Sequence, residues 1–117
     1  WVDAIIATNT TLSREGLRSR QAGEAGGLSG KPLLARSTEV LAQLYRETHR
    51  ELPLIGVGGI FSADDAWAKL RAGATAVQLY SALIFQGFSL AGRMAEELDL
   101  RLRREKMTLP ELTGSGI

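Results

Sequence analysis

Cysteine is absent from this chain of 117 residues, which excludes disulfides and thiolate metal sites and is compatible with a reducing compartment. There is one histidine, His49, so no histidine metal cluster can form. No Ser/His/Asp set and no catalytic pair of carboxylates is visible, and no acid–base residue stands out. No apolar stretch approaches the roughly twenty residues that a membrane-spanning helix needs. The net charge is only +1, and no lysine or arginine run is interleaved with aromatics, which leaves nucleic-acid binding without electrostatic support. No signal peptide is visible either. Trp1 to Ile6 already reads as a strand with no room for an initiating methionine, as if the chain were cut from something longer. Its length allows one domain at most, burying roughly two-thirds of its unfolded surface if it folds alone.

What is present is a β-then-α alternation, read three times along the chain. Val2 to Ala7 is a near-continuous apolar run typical of a strand covered on both faces, and Thr8-Asn9-Thr10-Thr11 follows it. From Leu12 to Leu34 there is no helical period, but Gly16, Gly23, Gly26, Gly27, Gly30 and Pro32 punctuate it. Loops of that length are usually functional or disordered. The spacing predicts a helix from Ser37 or Thr38, with Val40, Leu41, Leu44, Tyr45 and Thr48 on one face and Arg46, His49 and Arg50 near its negative end. His49 then serves as a solvated cation. Pro53 opens the second strand, and Ser62 with Asp65 starts a second helix in a capping-box-like pair. Asp64 and Asp65 suit a first helical turn for dipole reasons alone. Ala63, Ala66, Trp67 and Leu70 form the buried stripe of that helix, and Gly73 ends it. Ala76 to Ser81 reads as a third strand and Leu83 to Phe88 as a short connection. Ser89 then caps a last helix with Leu90, Met94, Leu98 and Leu102 at four-residue spacing. A further helical turn around Pro110 to Leu112 precedes a loosely held glycine-rich end.

Repeating βα units imply a parallel sheet with right-handed crossovers, hence an α/β fold. Two architectures fit: a small open sheet, or three-eighths of a closed (β/α)8 TIM barrel whose C-terminal face collects every strand end. Loops after the seventh and eighth strands of such a barrel commonly hold phosphate, which favours the barrel here. Gly58 and Gly59 follow an apolar run and let backbone N–H groups converge on an anion without Cβ interference, with the helix beginning near Ser62 adding its positive end. Tyr80 and Ser81 repeat that plan one strand later, although Tyr80 also suits a core ring with a wet hydroxyl. Thr8-Asn9-Thr10-Thr11 offers an amide and three hydroxyls to a planar polar ligand and a cofactor, or simply makes a turn. In Gly26-Gly27-Leu28-Ser29-Gly30-Lys31-Pro32, Gly30 can bring its backbone against a flat ligand, and Ser29 or Lys31 can meet phosphate or close the site. This is not a Walker loop, because Pro32 stands where Ser or Thr is required.

Four motifs in the right order and spacing closely resemble dihydroorotate dehydrogenase over nearly the whole chain. They are Ala7-Thr8-Asn9-Thr10-Thr11, Gly26 to Leu33 with Arg36-Ser37-Thr38 following, Ile55-Gly56-Val57-Gly58-Gly59-Ile60, and Val77-Gln78-Leu79-Tyr80-Ser81. Leu28-Ser29-Gly30-Lys31-Pro32 looks most like the quinone-linked, membrane-associated class. The resemblance implies that residues 1–117 are the C-terminal part of an FMN-binding (β/α)8 barrel, contributing its last three βα units. It further implies oxidation of dihydroorotate to orotate in pyrimidine biosynthesis, with FMN taking the hydride and a quinone reoxidising it. Asn9 and Thr10 fall where the family hydrogen-bonds the pyrimidine, and Thr8 where it contacts FMN. Gly30 and Gly59, with Gly58 beside it, fall where backbone approaches FMN, while Tyr80 and Ser81 lie at the phosphate.

The family's catalytic serine, a flavin-contacting lysine and several substrate asparagines lie earlier in its sequence, so no catalytic residue is assigned within this chain. The N-terminal helical pair that forms the quinone tunnel lies earlier too. Peripheral contact with the cytoplasmic side of a membrane is implied only through that region. Phe88-Ser89 departs from the prolines that relatives often carry after the glycine. On this reading the chain by itself is inactive, exposes two strand edges and an apolar interior, and associates or requires the missing N-terminal part of the barrel. The alternatives are a stand-alone phosphate-binding βα module and another phosphate-binding barrel enzyme, which would need a lysine or carboxylate at a strand end.

Overall fold

Three short parallel strands organise the computed structural model, which describes residues 1–117. Strands β1 (Ile5–Ala7), β2 (Leu54–Val57) and β3 (Ala76–Gln78) lie side by side in chain order. Ile5 pairs with Leu54, Ala7 with Gly56, and Gly56 in turn with Val77. Partners in parallel register share a face, so Ile5, Ala7, Leu54, Gly56 and Val77 point one way, and Ile6, Ile55, Val57, Ala76 and Gln78 the other. Helices α1 (Leu34–Glu47) and α2 (Ala63–Arg71) cover the first face. Ala7 and Leu54 are buried there in one cluster with Leu41, Trp67, Leu70, Ala72 and Ala74. Nothing covers the second face, where Ile6 is 57% exposed. The expectation that β1 is covered on both faces therefore holds on one face only. The strand is also shorter than its apolar run, because Trp1 and Val2 are exposed and the ladder begins where Ile5 N–H donates to the Pro53 carbonyl.

Helix α1 starts at Leu34 rather than at Ser37, because a 3-10 turn over Lys31–Leu33 with Pro32 in its first turn leads straight into it. Ser62 caps α2 as expected, its hydroxyl accepting from Asp65 N–H at 3.2 Å. Strand β3 ends at Gln78, short of the expected Ser81, and residues Ser81–Gln86 form a helix, α3, where the sequence suggested the strand end and a connection from Leu83. Its Ala82 is buried while Ile84 and Phe85 stay exposed, so it lacks the apolar stripe that would have marked it as a helix. Helix α4 (Leu90–Glu105) buries Leu90 and Met94 on a second small core with Ile60, Ala66 and Ala82. The hydroxyl of Ser89 caps nothing, contrary to expectation, because the residue itself sits in helical backbone geometry.

Helix α5 (Leu109–Leu112) is closed by reciprocal hydrogen bonds between Thr108 and Glu111. The glycine-rich end is docked rather than loose: Gly114 and Gly116 N–H donate to the last carbonyls of α2, Leu70 and Arg71, both at 3.0 Å. The Arg71 carbonyl has no partner inside its own helix and the tail supplies one, while the Leu70 carbonyl accepts from Gly73 N–H as well. The long connection after β1 is likewise ordered. An antiparallel bridge joins Thr11 to Leu28, and the Arg14 guanidinium fills the loop by donating to the carbonyls of Thr11, Ala22, Glu24 and Gly26. No helix is long and apolar enough to cross a membrane.

Candidate functional site

All three strands run the same way, so their C-terminal ends deliver the following residues to one rim. A cavity of about 210 Å³ lies there, lined by Thr8, Asn9 and Thr10 after β1, Gly58 and Gly59 after β2, Tyr80 and Ser81 after β3, and Ser29 and Gly30 from the loop before α1. Thr8, Asn9, Thr10, Gly30, Gly58, Gly59, Tyr80 and Ser81, expected from the sequence to bind substrate or cofactor, all border this one space, whereas Thr11 and Lys31 do not. Val57, Ile60, Phe61, Leu79 and Leu33 supply apolar wall. No lining residue is acidic.

The glycines are there for a reason that geometry makes plain. Gly59 has φ +76, and a Cβ on it would lie 2.5 Å from the Leu34 backbone nitrogen, so only glycine lets the start of α1 approach the loop after β2. Gly30 has φ +90, and the nearest atom to a Cβ there is Ser81 Cβ, 4.0 Å away across the cavity. The N–H groups of Gly58, Gly59, Tyr80 and Ser81 donate to no acceptor within the chain. Four unpaired amides around one acid-free hollow form a donor set suited to an anion. Ser81 Oγ donates to Ser29 Oγ at 3.0 Å, tying the β3 end to the loop before α1.

Asn9 Oδ1 accepts from Thr10 N–H at 2.7 Å, and Thr8 Oγ1 donates to the Asn9 carbonyl at 3.0 Å. The turn reading of this segment is thus satisfied while the Asn9 amide NH₂ stays available to a ligand. Tyr80 is 75% exposed, which rules out its alternative role as a core ring. The helix whose first residues border the cavity is α3, through Ser81 and Ala82, and not α2. The start of α2 is self-contained, with the Asp65 carboxylate accepting from Phe61 N–H at 2.9 Å.

Lys31 does not reach the cavity. Its ammonium donates to both oxygens of Asp65, at 2.8 and 2.7 Å, so Asp65 is a buried partner rather than a mere dipole-favoured charge. Burial of Asp65 works against its ionisation, but hydrogen bonds from Lys31 and the Phe61 amide prevail and hold its pKa below the usual carboxylate range. Behind the glycine pair lies a residue that the sequence reading missed. Lys69 has no exposed surface, and its ammonium donates to Ser37 Oγ. That oxygen is 3.0 Å from the Gly58 carbonyl and 3.1 Å from that of Leu34. Burial pushes the Lys69 ammonium down to about 8, against the pull of Asp65 toward the charged form. The available signal was positional: Lys69 is three residues after buried Ala66 and four after Asp65 on the same helix face.

Fold and cavity together define an α/β protein with a polar, acid-free site at the C-terminal edge of a parallel sheet, the usual place for ligands in such folds. The family model described as dihydroorotate dehydrogenase matches residues 1–102, and the chain belongs to that family. Among curated relatives, the dihydroorotate dehydrogenase (quinone) of Cereibacter sphaeroides is 56% identical over 116 residues, covering 98% of this chain and 33% of the relative. That of Parvibaculum lavamentivorans is 57% identical over 118 residues, covering 99% and 34%. The crystal structure of Eimeria tenella DHODH in complex with ferulenol superposes with a TM-score of 0.90 at 39% identity, covering 96% of this chain and 30% of that one. Its ligand-free counterpart gives 0.92 at 39% identity, covering 97% and 32%. The chain thus spans about a third of the length of the relatives it matches.

Proposed function

We propose that this chain is the C-terminal part of the FMN-binding (β/α)8 barrel of a quinone-linked dihydroorotate dehydrogenase, an enzyme oxidising dihydroorotate to orotate in pyrimidine biosynthesis. The observation that carries this reading is the convergence of three strand ends and their unpaired amides on one acid-free cavity. Two features support the barrel over an open sheet. The strands are ordered as they occur in the chain, and both covering helices lie on one face while the apolar residues of the other stay bare.

FMN, when bound, supplies the acceptor for the hydride. The amides of Gly58, Gly59, Tyr80 and Ser81 hold its phosphate by direct donation, and the Ser29 and Ser81 hydroxyls can add to that shell. Gly30 and Thr8 present backbone and hydroxyl to the ring system, and Asn9 with Thr10 orients the pyrimidine by neutral hydrogen bonds. The proton-abstracting base, the quinone contact and peripheral placement on the cytoplasmic side of the membrane belong to the remainder of the protein. A lysine- or carboxylate-dependent barrel enzyme is disfavoured, because neither residue type lines the cavity.

The test joins this chain to the remaining two-thirds of the Cereibacter sphaeroides relative and follows flavin bleaching by dihydroorotate without oxygen. Bleaching is expected with the fusion and not with the 117-residue chain alone. Asn9→Ala in the fusion should retain FMN and lose at least about tenfold in kcat/KM. A fusion that holds FMN yet never bleaches refutes the proposal.

A further inference from the structure

The chemistry just proposed makes no use of the Lys69 ammonium, although that group is buried directly behind the glycine pair. We infer that Lys69 is a hidden electrostatic part of the phosphate site, a positioning residue whose charge acts through Ser37 and the Gly58 peptide to favour a phosphate-bearing ligand on the Gly58–Gly59 amides. This rests on reading the cavity as a phosphate cradle.

Three observations carry it. First, the geometry forms a continuous path: Nζ of Lys69 to Ser37 Oγ, and that oxygen 3.0 Å from the Gly58 carbonyl, whose residue lines the cavity. Second, the charges do not balance. Lys31 and Lys69 bring two cations, while Asp65 is the single carboxylate between them and is already held by Lys31 and the Phe61 amide. One positive charge is left uncompensated beneath a cavity without acidic lining, and in a low-dielectric interior its field reaches further than it would in water. Third, Lys69 sits in close packing behind β2, where a Cβ on Gly56 would meet Leu41 Cδ2 at 3.1 Å, Ala74 Cβ at 3.2 Å and Lys69 Cβ at 3.4 Å. An apolar side chain would fill such a place at lower cost, so an ammonium there calls for a role beyond packing.

The elements packed against Lys69 present Ser37 and Leu41 from α1 and Gly56 from β2, none of them titratable. Asp65, four residues earlier on α2, is the charged group that acts on it, with Lys31 beyond that carboxylate. Because Lys69 titrates near 8, its proton and the phosphate are linked. Phosphate raises the affinity for the proton, and the proton must tighten phosphate by the same factor.

The experiment strips FMN from the fusion described above and titrates FMN and riboflavin, which has the same ring but no phosphate, between pH 7 and 9.5 by quenching of flavin fluorescence. The unmutated protein should lose about tenfold in FMN affinity as pH rises through the Lys69 range, with no such step for riboflavin. Lys69→Met should bind FMN about tenfold more weakly at pH 7, without the step and with riboflavin affinity unchanged. Ser37→Ala, which cuts the path but keeps the charge, should shrink the FMN step well below tenfold, and a full step in that variant would overturn the role of the path. Absence of an FMN-specific step in the unmutated protein, or a Lys69→Met variant that weakens FMN and riboflavin alike, overturns the inference and leaves the phosphate reading standing. Riboflavin binding as tightly as FMN overturns that reading and the inference with it.

Discussion

A lysine with no solvent exposure destabilises the fold that contains it, and the sign of that effect can be read from its titration. Burial holds the Lys69 ammonium near 8 against an ordinary value of 10.5. Below pH 8 the group is charged in both the folded and unfolded states, and the full penalty of burying a cation applies. Between about 8 and 10.5 the folded protein has released the proton that the unfolded chain still binds, so stability rises with pH across that window. Lys69→Met removes the charge while keeping the length of the side chain. At pH 7 it should be more stable than the parent by on the order of 2 kcal/mol, with the gap closing toward pH 9.5. Urea midpoints of the two fusions at both pH values measure this, and parallel pH profiles would contradict it. A variant that gains stability while losing FMN affinity is the pattern expected where a strained charge is kept for its site.

At the scale of elements, the loop between β1 and α1 depends on one side chain. Arg14 donates to five backbone carbonyls spread from Thr11 to Gly26, and charged donors make the stronger hydrogen bonds to such groups. Arg14→Ala leaves those carbonyls without a common donor, so cleavage by a protease of broad specificity between Leu12 and Leu28 should become several-fold faster, with cuts elsewhere unchanged. Mass-spectrometric mapping of early fragments checks this, and an unaltered pattern would show that the bridge from Thr11 to Leu28 suffices.

Much of this architecture was legible in the sequence. Apolar runs ending in polar or glycine residues marked β1, β2 and β3, and the same endings marked Thr8, Asn9, Gly59 and Ser81 as neighbours on one rim. What stayed hidden depended on contacts between segments distant in the chain. Arg14 organises carbonyls that carry no side-chain signature, and Lys31 meets Asp65 across 34 residues. Helix α3 is too short and too exposed to show a period. The Phe88-Ser89 departure proved local as expected, since α4 still follows and packs.

The whole molecule is less closed than its size permits. A compact monomer of 12.6 kDa exposes about 6200 Å², whereas this chain exposes 7838 Å². Its radius of gyration of 14.8 Å likewise exceeds the roughly 13 Å of a compact domain of 117 residues. The excess has a location. Ile6 on the bare sheet face is 57% exposed, and Ile84, Phe85 and Phe88 on and after α3 are 68%, 78% and 86% exposed. Parallel sheets are ordinarily covered on both faces, and β1 and β3 each leave an edge unpaired, so water faces apolar surface and open strand edges together. The isolated chain should therefore associate as its concentration rises, with light scattering reporting species heavier than a monomer. The fusion with the rest of a relative should scatter as a discrete particle, because on the proposed barrel reading further strands would cover the same face and edges. Ile6→Ser together with Ile84→Ser should reduce association of the isolated chain without altering the cavity, as neither residue lines it. A stable, monodisperse monomer of the unmutated chain would mean that these surfaces are tolerated in water and that the sheet is complete as it stands.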